Sequence, residues 1–238
     1  MPNPYFKFKQ FTIFHDKCAM KVGTDGVLLG SWAGKGLSPQ RILDIGAGSG
    51  LIALMLAQRF KSAEVEAVEI EELCAQQCKE NVLASPYKNR VKTINSSIQE
   101  FAFSSKDKFD LLVSNPPFFI DSFTSDNDQR NTARHNHTLR QHEILQAVTD
   151  LSHHKSVFAI ILPIKEGDLF IVKAREYPWY LNTQVYIKGS PESKEKRVLL
   201  EFTKSANPLT KSQLIVEEKR GVYTKEFSNL VKSFYLHL

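Results

Sequence analysis

A doubly wound α/β fold with a mostly parallel sheet is predicted for this 238-residue chain by three observations. Short apolar runs alternate with helix-like segments from Arg41 onward, the order that builds a parallel sheet with helices on both faces. The first of those strands runs directly into a glycine-rich turn and then a helix. Near the C-terminus, Tyr180 to Lys188 and Arg197 to Thr203 are joined by a loop too short for a crossover helix, so that pair is expected to be antiparallel.

Taken in order, the aromatic and lysine-interspersed stretch Phe6 to Phe14 reads as a short hairpin with one buried face, and Gly23 to Trp32 as a turn followed by a short apolar helix. Strands follow near 41–45, 64–69, 91–95, 109–114 and 156–162, with helices near 50–60, 71–85, 139–151 and 165–176. The pair at 180–188 and 197–203 completes seven strands; a further strand near Leu214 to Val216 and a helix near Thr224 to Tyr235 close the chain. No repeat, low-complexity tract or domain linker interrupts it, and we expect one domain over 1–238, divided into an N-terminal hairpin region, 1–38, and a core, 39–238.

Bulk properties exclude several classes. With 42% hydrophobic and 24% charged residues the composition is that of a globular protein, and no apolar run reaches the roughly 18 residues of a membrane span. The N-terminus lacks an apolar signal core, so a cytoplasmic protein is expected. Three cysteines fit a reducing compartment: Cys74 and Cys78 sit four apart on a helix, Cys18 is remote, and none has partners at metal-ligand spacing. They are read as thiols, and no metal site is expected. A net charge of +5 is compatible with nucleic acid without requiring it.

Two stretches carry chemistry. In Arg41-Ile-Leu-Asp44-Ile-Gly46-Ala-Gly48-Ser-Gly50, the glycines allow a tight turn and close ligand approach at a helix N-terminus. A dinucleotide fingerprint would place its third glycine at 51, which is Leu, so pyrophosphate is disfavoured. Glu69 ends the next strand, where a carboxylate can accept two hydrogen bonds from a ribose diol. The second stretch, Asn115-Pro116-Pro117-Phe118, follows the apolar run Phe109 to Ser114. Two prolines end a strand and leave a rigid turn. The Asn115 carbonyl oxygen and the Pro116 carbonyl can each accept one N–H of a planar ring's amine, while Phe118 stacks on the ring.

Glycine turn, ribose acid and amine-gripping turn, in that order, resemble the class I S-adenosylmethionine-dependent methyltransferases that carry an N-P-P-[FY] signature. Met20-Lys21-Val-Gly23-Thr24-Asp25-Gly26 to Trp32, Arg130-Asn-Thr-Ala-Arg134-His135 and the aromatic C-terminus Phe234-Tyr-Leu are similar to the tRNA1(Val) (adenine-37-N6)-methyltransferase family, over essentially the whole chain. The resemblance implies a Rossmann-like sheet of seven strands with an antiparallel last strand. It also implies S-adenosylmethionine held by Lys21, Thr24, Asp44, Gly46, Gly48, Gly50, Glu69 and Asn115, with residues 1–38 partly covering it. Family members often place an acidic residue after the third strand against the cofactor adenine; here Ser97 is the nearest substitute, with Asn95 beside it. The implied partner is tRNA, bound by a protein expected to be a monomer. Asn115, Pro116 and Phe118 would grip the target adenine, with Phe119 as a second stacking ring. For Arg130 and Arg134, phosphate contact is weighed against a solvated face or an intramolecular ion pair, and for Lys194, Lys196 and Arg197 RNA contact is weighed against a solvated loop. Guanine N2 in RNA and a protein glutamine amide also present NH2 to such a turn, and a non-catalytic cofactor-sensing RNA-binding module is the reading from a different class.

Overall fold

The computed structural model describes residues 3–117 and 141–237. Phe118, Phe119, Arg130 and Arg134 therefore lie outside the described residues.

A central sheet of eight strands carries the molecule. In chain order the elements are β1 (Tyr5–Lys7), β2 (Thr12–Phe14), α1 (Thr24–Trp32), β3 (Arg41–Ile45), α2 (Leu51–Arg59), β4 (Glu64–Glu69), α3 (Glu72–Leu83), β5 (Val91–Asn95), α4 (Ile98–Ser104) and β6 (Phe109–Ser114). After the undescribed segment come α5 (Gln141–Asp150), β7 (Ser152–Pro163), α6 (Ile164–Ala174), β8 (Tyr180–Lys188), β9 (Glu195–Thr203), β10 (Thr210–Ile215), β11 (Glu217–Lys219), β12 (Val222–Tyr223) and α7 (Lys225–Val231).

The strand order is β10-β8-β9-β7-β6-β3-β4-β5. The expected mostly parallel sheet with an antiparallel seventh strand is what forms, and β9 is that strand. Only β9 is antiparallel to its neighbours, and it is inserted between β7 and β8. An eighth strand, β10, pairs parallel to β8 at the edge. The side chains explain both placements. Val198, Leu199 and Leu200 of β9 are buried together, as a strand covered on both faces requires, whereas Thr210 to Gln213 of β10 are exposed and polar, as suits an edge. Helix α4 and the small β11–β12 ribbon had no counterpart in the sequence reading.

Alternate residues of the inner strands supply two cores. Ile42, Leu111, Val113, Val157, Ala159 and Ile161 face the side covered by α1, α2, α3 and α7. Leu43, Ile45, Leu112, Phe158, Ile160 and Leu162 face α4, α5 and α6. This period of two, repeated across adjacent strands, is what buries both faces. On the second side Phe158 meets Phe170, Trp179 and Phe202 with ring centroids about 6 Å apart, within the range where aromatic pairs add to area burial.

The predicted N-terminal hairpin is β1–β2, with Phe6 opposite Ile13. Its inner side packs on the C-terminal tail, with the Phe6 ring 5.7 Å from Tyr235 and the Lys9 amide donating to the Phe234 carbonyl at 2.8 Å. This hairpin turns the chain back onto α3 and brings the Cα atoms of Cys18 and Cys74 to 4.9 Å, where they form a disulfide. The reading of these two as separate thiols is therefore corrected. Only Cys78 is free, and burial pushes its thiol up to about 12.

Arg90 shows how the sheet's far end is tied down. Its guanidinium donates to the carbonyls of Ala57, Phe60 and Ala63, which lie at and beyond the C-terminus of α2, and lies 5.5 Å from the Tyr87 ring centroid. A cation at a helix C-terminus also answers the helix dipole. Arg90→Ala is expected to lower stability by about 2–3 kcal/mol, read as a fall in the urea midpoint with an unchanged slope.

Candidate active site

At the carboxyl end of β3 the chain turns through Gly46, Gly48 and Gly50 at φ values of 69°, 56° and 85°. These left-handed conformations strain any residue with a Cβ, which is why glycine recurs here. A Cβ built at Gly46 or Gly48 would meet nothing within 4 Å, so the turn borders open space. A Cβ at Gly50 would instead come within 2.8 Å of the Cys78 sulfur. The first two glycines leave room for a ligand; the third lets α3 pack closely beneath the turn.

Neighbouring strands hold this turn. The amides of Gly46 and Ala47 donate to the Val68 carbonyl at 2.9 and 3.0 Å. One Glu69 oxygen accepts from the Gly48 amide at 2.8 Å and the other from the Glu71 amide at 2.9 Å. Asn95 donates through its side chain to the carbonyls of Glu69 and Ile70. Below the turn Asp44 is fully buried: Oδ2 accepts from the Ala53 amide in the first turn of α2 at 2.9 Å, while Oδ1 has no hydrogen-bond partner among the described residues.

Across from the glycine turn stands Asn115, next to β6 in the register that pairs Ser114 with Ile45. The Ser114 hydroxyl donates to the Ile45 carbonyl at 3.0 Å and fixes the strand end. Among the described residues Asn115 Oδ1 is buried without a partner. A buried acceptor of this kind costs roughly 1–3 kcal/mol, so its retention points to a ligand donor. Helix α1 reaches this amide through Gly26, where a Cβ would lie 3.9 Å from Asn115 Nδ2 and 2.9 Å from Leu51. Glycine turn, Asp44, Glu69, Asn115 and Pro116 thus converge at the ends of β3, β4 and β6, where open α/β sheets bind ligands.

Other sequence candidates are placed differently. The Lys21 ammonium donates to the carbonyls of His15 and Cys18 at 2.8 and 2.9 Å, inside its own loop. Thr24 is the exposed first residue of α1. Ser97 caps α4: its hydroxyl accepts from the Glu100 amide at 3.2 Å and meets the Glu100 carboxylate at 2.9 Å. Arg197 donates to Asp25 at 2.7 Å, tying β9 to α1, while Lys194 and Lys196 stand exposed on the loop before β9 and in its first residues. A cavity of about 390 Å³ lined by Ile164, Lys188, Ser193, Lys194, Glu195 and Gln213 contains none of the glycine-turn residues.

Asn81 was not among the sequence candidates. Its amide donates to the carbonyls of both Phe14 and Ser49, and its oxygen accepts from the Phe14 amide. It joins the hairpin to the glycine turn. A lone Asn in the middle of a helix gives no local sign of such long-range bonds.

Residues 25–155 match the family model described as the methyltransferase small domain. The chain is 46% identical over 240 residues, covering 100% of both chains, to a Bacteroides thetaiotaomicron protein named tRNA1(Val) (adenine(37)-N6)-methyltransferase. Proteins of the same name from Phocaeicola vulgatus and Flavobacterium psychrophilum are 44% and 40% identical, over 100% and 98% of this chain and 100% of each relative. Among solved structures, a predicted O-methyltransferase from Agrobacterium tumefaciens superposes with a TM-score of 0.68 over 88% of this chain and 96% of its own, at 17% identity. A methyltransferase from Pyrococcus furiosus gives 0.53 over 79% and 90%, at 16% identity. At these identities the structural likeness is one of fold.

Burial, opposed by the Ala53 hydrogen bond and reinforced by the Glu69 charge, pushes the Asp44 carboxyl up to about 7. That lies above its unfolded value of roughly 3.9, so the folded protein binds this proton more tightly. The resulting stabilisation is full below about pH 4 and is lost as pH rises through 7. Asp44→Asn has no such proton, so its melting temperature should gain on the wild type between pH 5 and pH 8. A difference that stays constant over that range would contradict the assignment.

Proposed function

The chain belongs to the tRNA1(Val) (adenine(37)-N6)-methyltransferase family, and we propose that it transfers a methyl group from S-adenosylmethionine to an adenine N6 amine in transfer RNA. Following its relatives' names, the proposed target is the adenine at position 37 of tRNA1(Val). The observation that carries the reading is the buried Asn115 Oδ1, without a partner among the described residues, beside a glycine turn that borders open space among them.

The residues present fit the donor. Gly46 and Gly48 would admit its amino-acid and adenosine parts. Each Glu69 oxygen accepts one backbone hydrogen bond and keeps a lone pair for a ribose hydroxyl. An ammonium group near Asp44 would favour its ionised form and use the orphaned Oδ1. When bound, S-adenosylmethionine supplies a methyl group made electrophilic by the adjacent sulfonium.

The protein's part is positioning. An aromatic amine is a poor nucleophile because its lone pair is delocalised into the ring. Asn115 Oδ1 would accept one of its N–H groups and the Pro116 carbonyl the other, which favours a pyramidal nitrogen and fixes the direction of its lone pair. Alignment of this kind supplies much of the rate in a displacement, and acceptors already in place need no reorganisation. A strong general base is unnecessary, since the proton can leave after the new bond forms. The adenine must be splayed from its loop to enter. Phe118 and Phe119 are the proposed stacking partners and Arg130 and Arg134 the proposed phosphate contacts, with Lys194 and Lys196 at the periphery. Arg197 is proposed to act through Asp25, by holding α1 against the sheet beside Asn115.

Asn115→Ala is expected to reduce methyl transfer by roughly 100- to 1,000-fold, with a far smaller loss of calorimetric affinity for S-adenosylmethionine because the glycine turn and Glu69 remain. Incubation of the wild type with radiolabelled donor and total RNA from a strain lacking the gene should label N6-methyladenine. Label in N2-methylguanine, or only in protein, would overturn the proposal.

A further inference from the structure

The outward side of the N-terminal hairpin is not used by the site above. In the β1–β2 pairing Tyr5 lies opposite Phe14 and Lys7 opposite Thr12, so these four side chains share one side of the ribbon. Phe6 and Ile13 point the other way, onto Phe8, Tyr235 and the core. Tyr5 is 42% exposed and Phe14 46%, with ring centroids 5.6 Å apart. Lys7 is exposed, and its ammonium forms no ion pair or hydrogen bond among the described residues. Single exposed aromatics are ordinary; two in contact, flanked by an unpaired cation, form a defined surface.

This surface is firmly seated. The Val22 amide donates to His15 Nδ1, so Nε2 carries the ring proton and donates to the Asn3 carbonyl at 2.9 Å. The His15 amide donates to the Pro4 carbonyl at 3.0 Å. Phe14 is bonded through amide and carbonyl to Asn81, the residue that also holds the Ser49 carbonyl of the glycine turn. One side chain therefore separates the aromatic pair from the turn proposed to hold the cofactor.

We infer that Tyr5, Phe14 and Lys7 form a stacking platform for single-stranded nucleotides of the tRNA substrate, outside the methylated base. Aromatic faces take a base of any identity, and a lysine beside them meets the linking phosphate, the combination that single-stranded nucleic acid requires. A protein partner would bring polar side chains to these rings but no regular anion for Lys7, so charge favours RNA. The inference rests on the function proposed above.

The test is binding of a fluorescent anticodon stem–loop RNA by anisotropy, together with methyl-transfer kinetics, for wild type, Tyr5→Ala, Phe14→Ala, Phe14→Tyr and Lys7→Gln. Each alanine variant should weaken RNA binding and raise the KM for tRNA by about 5- to 100-fold, with S-adenosylmethionine affinity unchanged. Phe14→Tyr should retain wild-type affinity, and Lys7→Gln should reduce the slope of log K against log salt by roughly 0.7–0.9. Should Tyr5→Ala fold poorly, Tyr5→Leu keeps the apolar contact without the π face and should show the same loss. RNA affinity within twofold of wild type in both aromatic variants would overturn the platform. So would an equal loss of cofactor affinity, or a dimer that Phe14→Ala dissolves. Wild-type protein that binds the RNA through these residues yet methylates no RNA would remove the proposed function and leave the platform standing.

Discussion

The Glu69 carboxylate, shared between the amides of Gly48 and Glu71, is the interaction on which the candidate site depends. It joins the turn after β3 to the end of β4. The Val68 carbonyl repeats the link through Gly46 and Ala47, and Asn95 carries it to β5. Three strand ends are thereby locked at one level. The turn can be open towards a ligand because it is bound so completely from behind.

Asp44 is the second constraint, and it works in the opposite sense. A buried carboxylate close to another acid favours its protonated form, and here only one of its oxygens has a protein donor. Ligand-ready chemistry and local stability are therefore opposed at this residue. Asn115 repeats the pattern on the acceptor side, with an unpaired buried oxygen held by a strand end that is otherwise satisfied. Such deficits are typical of places where function overrides packing.

Much of this was legible in the sequence, and the reasons differ by residue. The glycine turn, Glu69 and Asn115-Pro-Pro could be read because each is a local pattern: a strand, its breaker and the residue left at its end. Strands β3 to β6 could be read from apolar periodicity. The antiparallel pairing of β9 with β8 could be read from their short connection, whereas its slot beside β7 is a long-range choice, and only the apolar end of β10 near Leu214 was legible because Thr210 to Gln213 are polar. Helix α4 was announced by Ser97 and Glu100 three residues apart, a capping box whose serine had been read as a ligand contact. Lys21, expected at the cofactor, and Arg197, weighed between RNA contact and a solvated loop, are engaged by loop carbonyls and Asp25 through contacts 3 and 172 residues apart in sequence, which no local pattern announces. The Cys18–Cys74 pairing was hidden for the same reason, since only the folded hairpin brings the two together.

That bridge has a topological consequence. With a sequence separation of 56, it closes a covalent ring that contains α1, the glycine turn, Asp44 and Glu69, while Asn115 lies outside it. In the chain-entropy view a ring of this size restricts the unfolded chain by about 4 kcal/mol. The half of the site assigned to the methyl donor is thus a cyclic peptide and the half assigned to the acceptor a linear one. A single backbone cut inside the ring would leave both fragments covalently joined, whereas a cut beside Asn115 would leave two chains held together by the sheet alone.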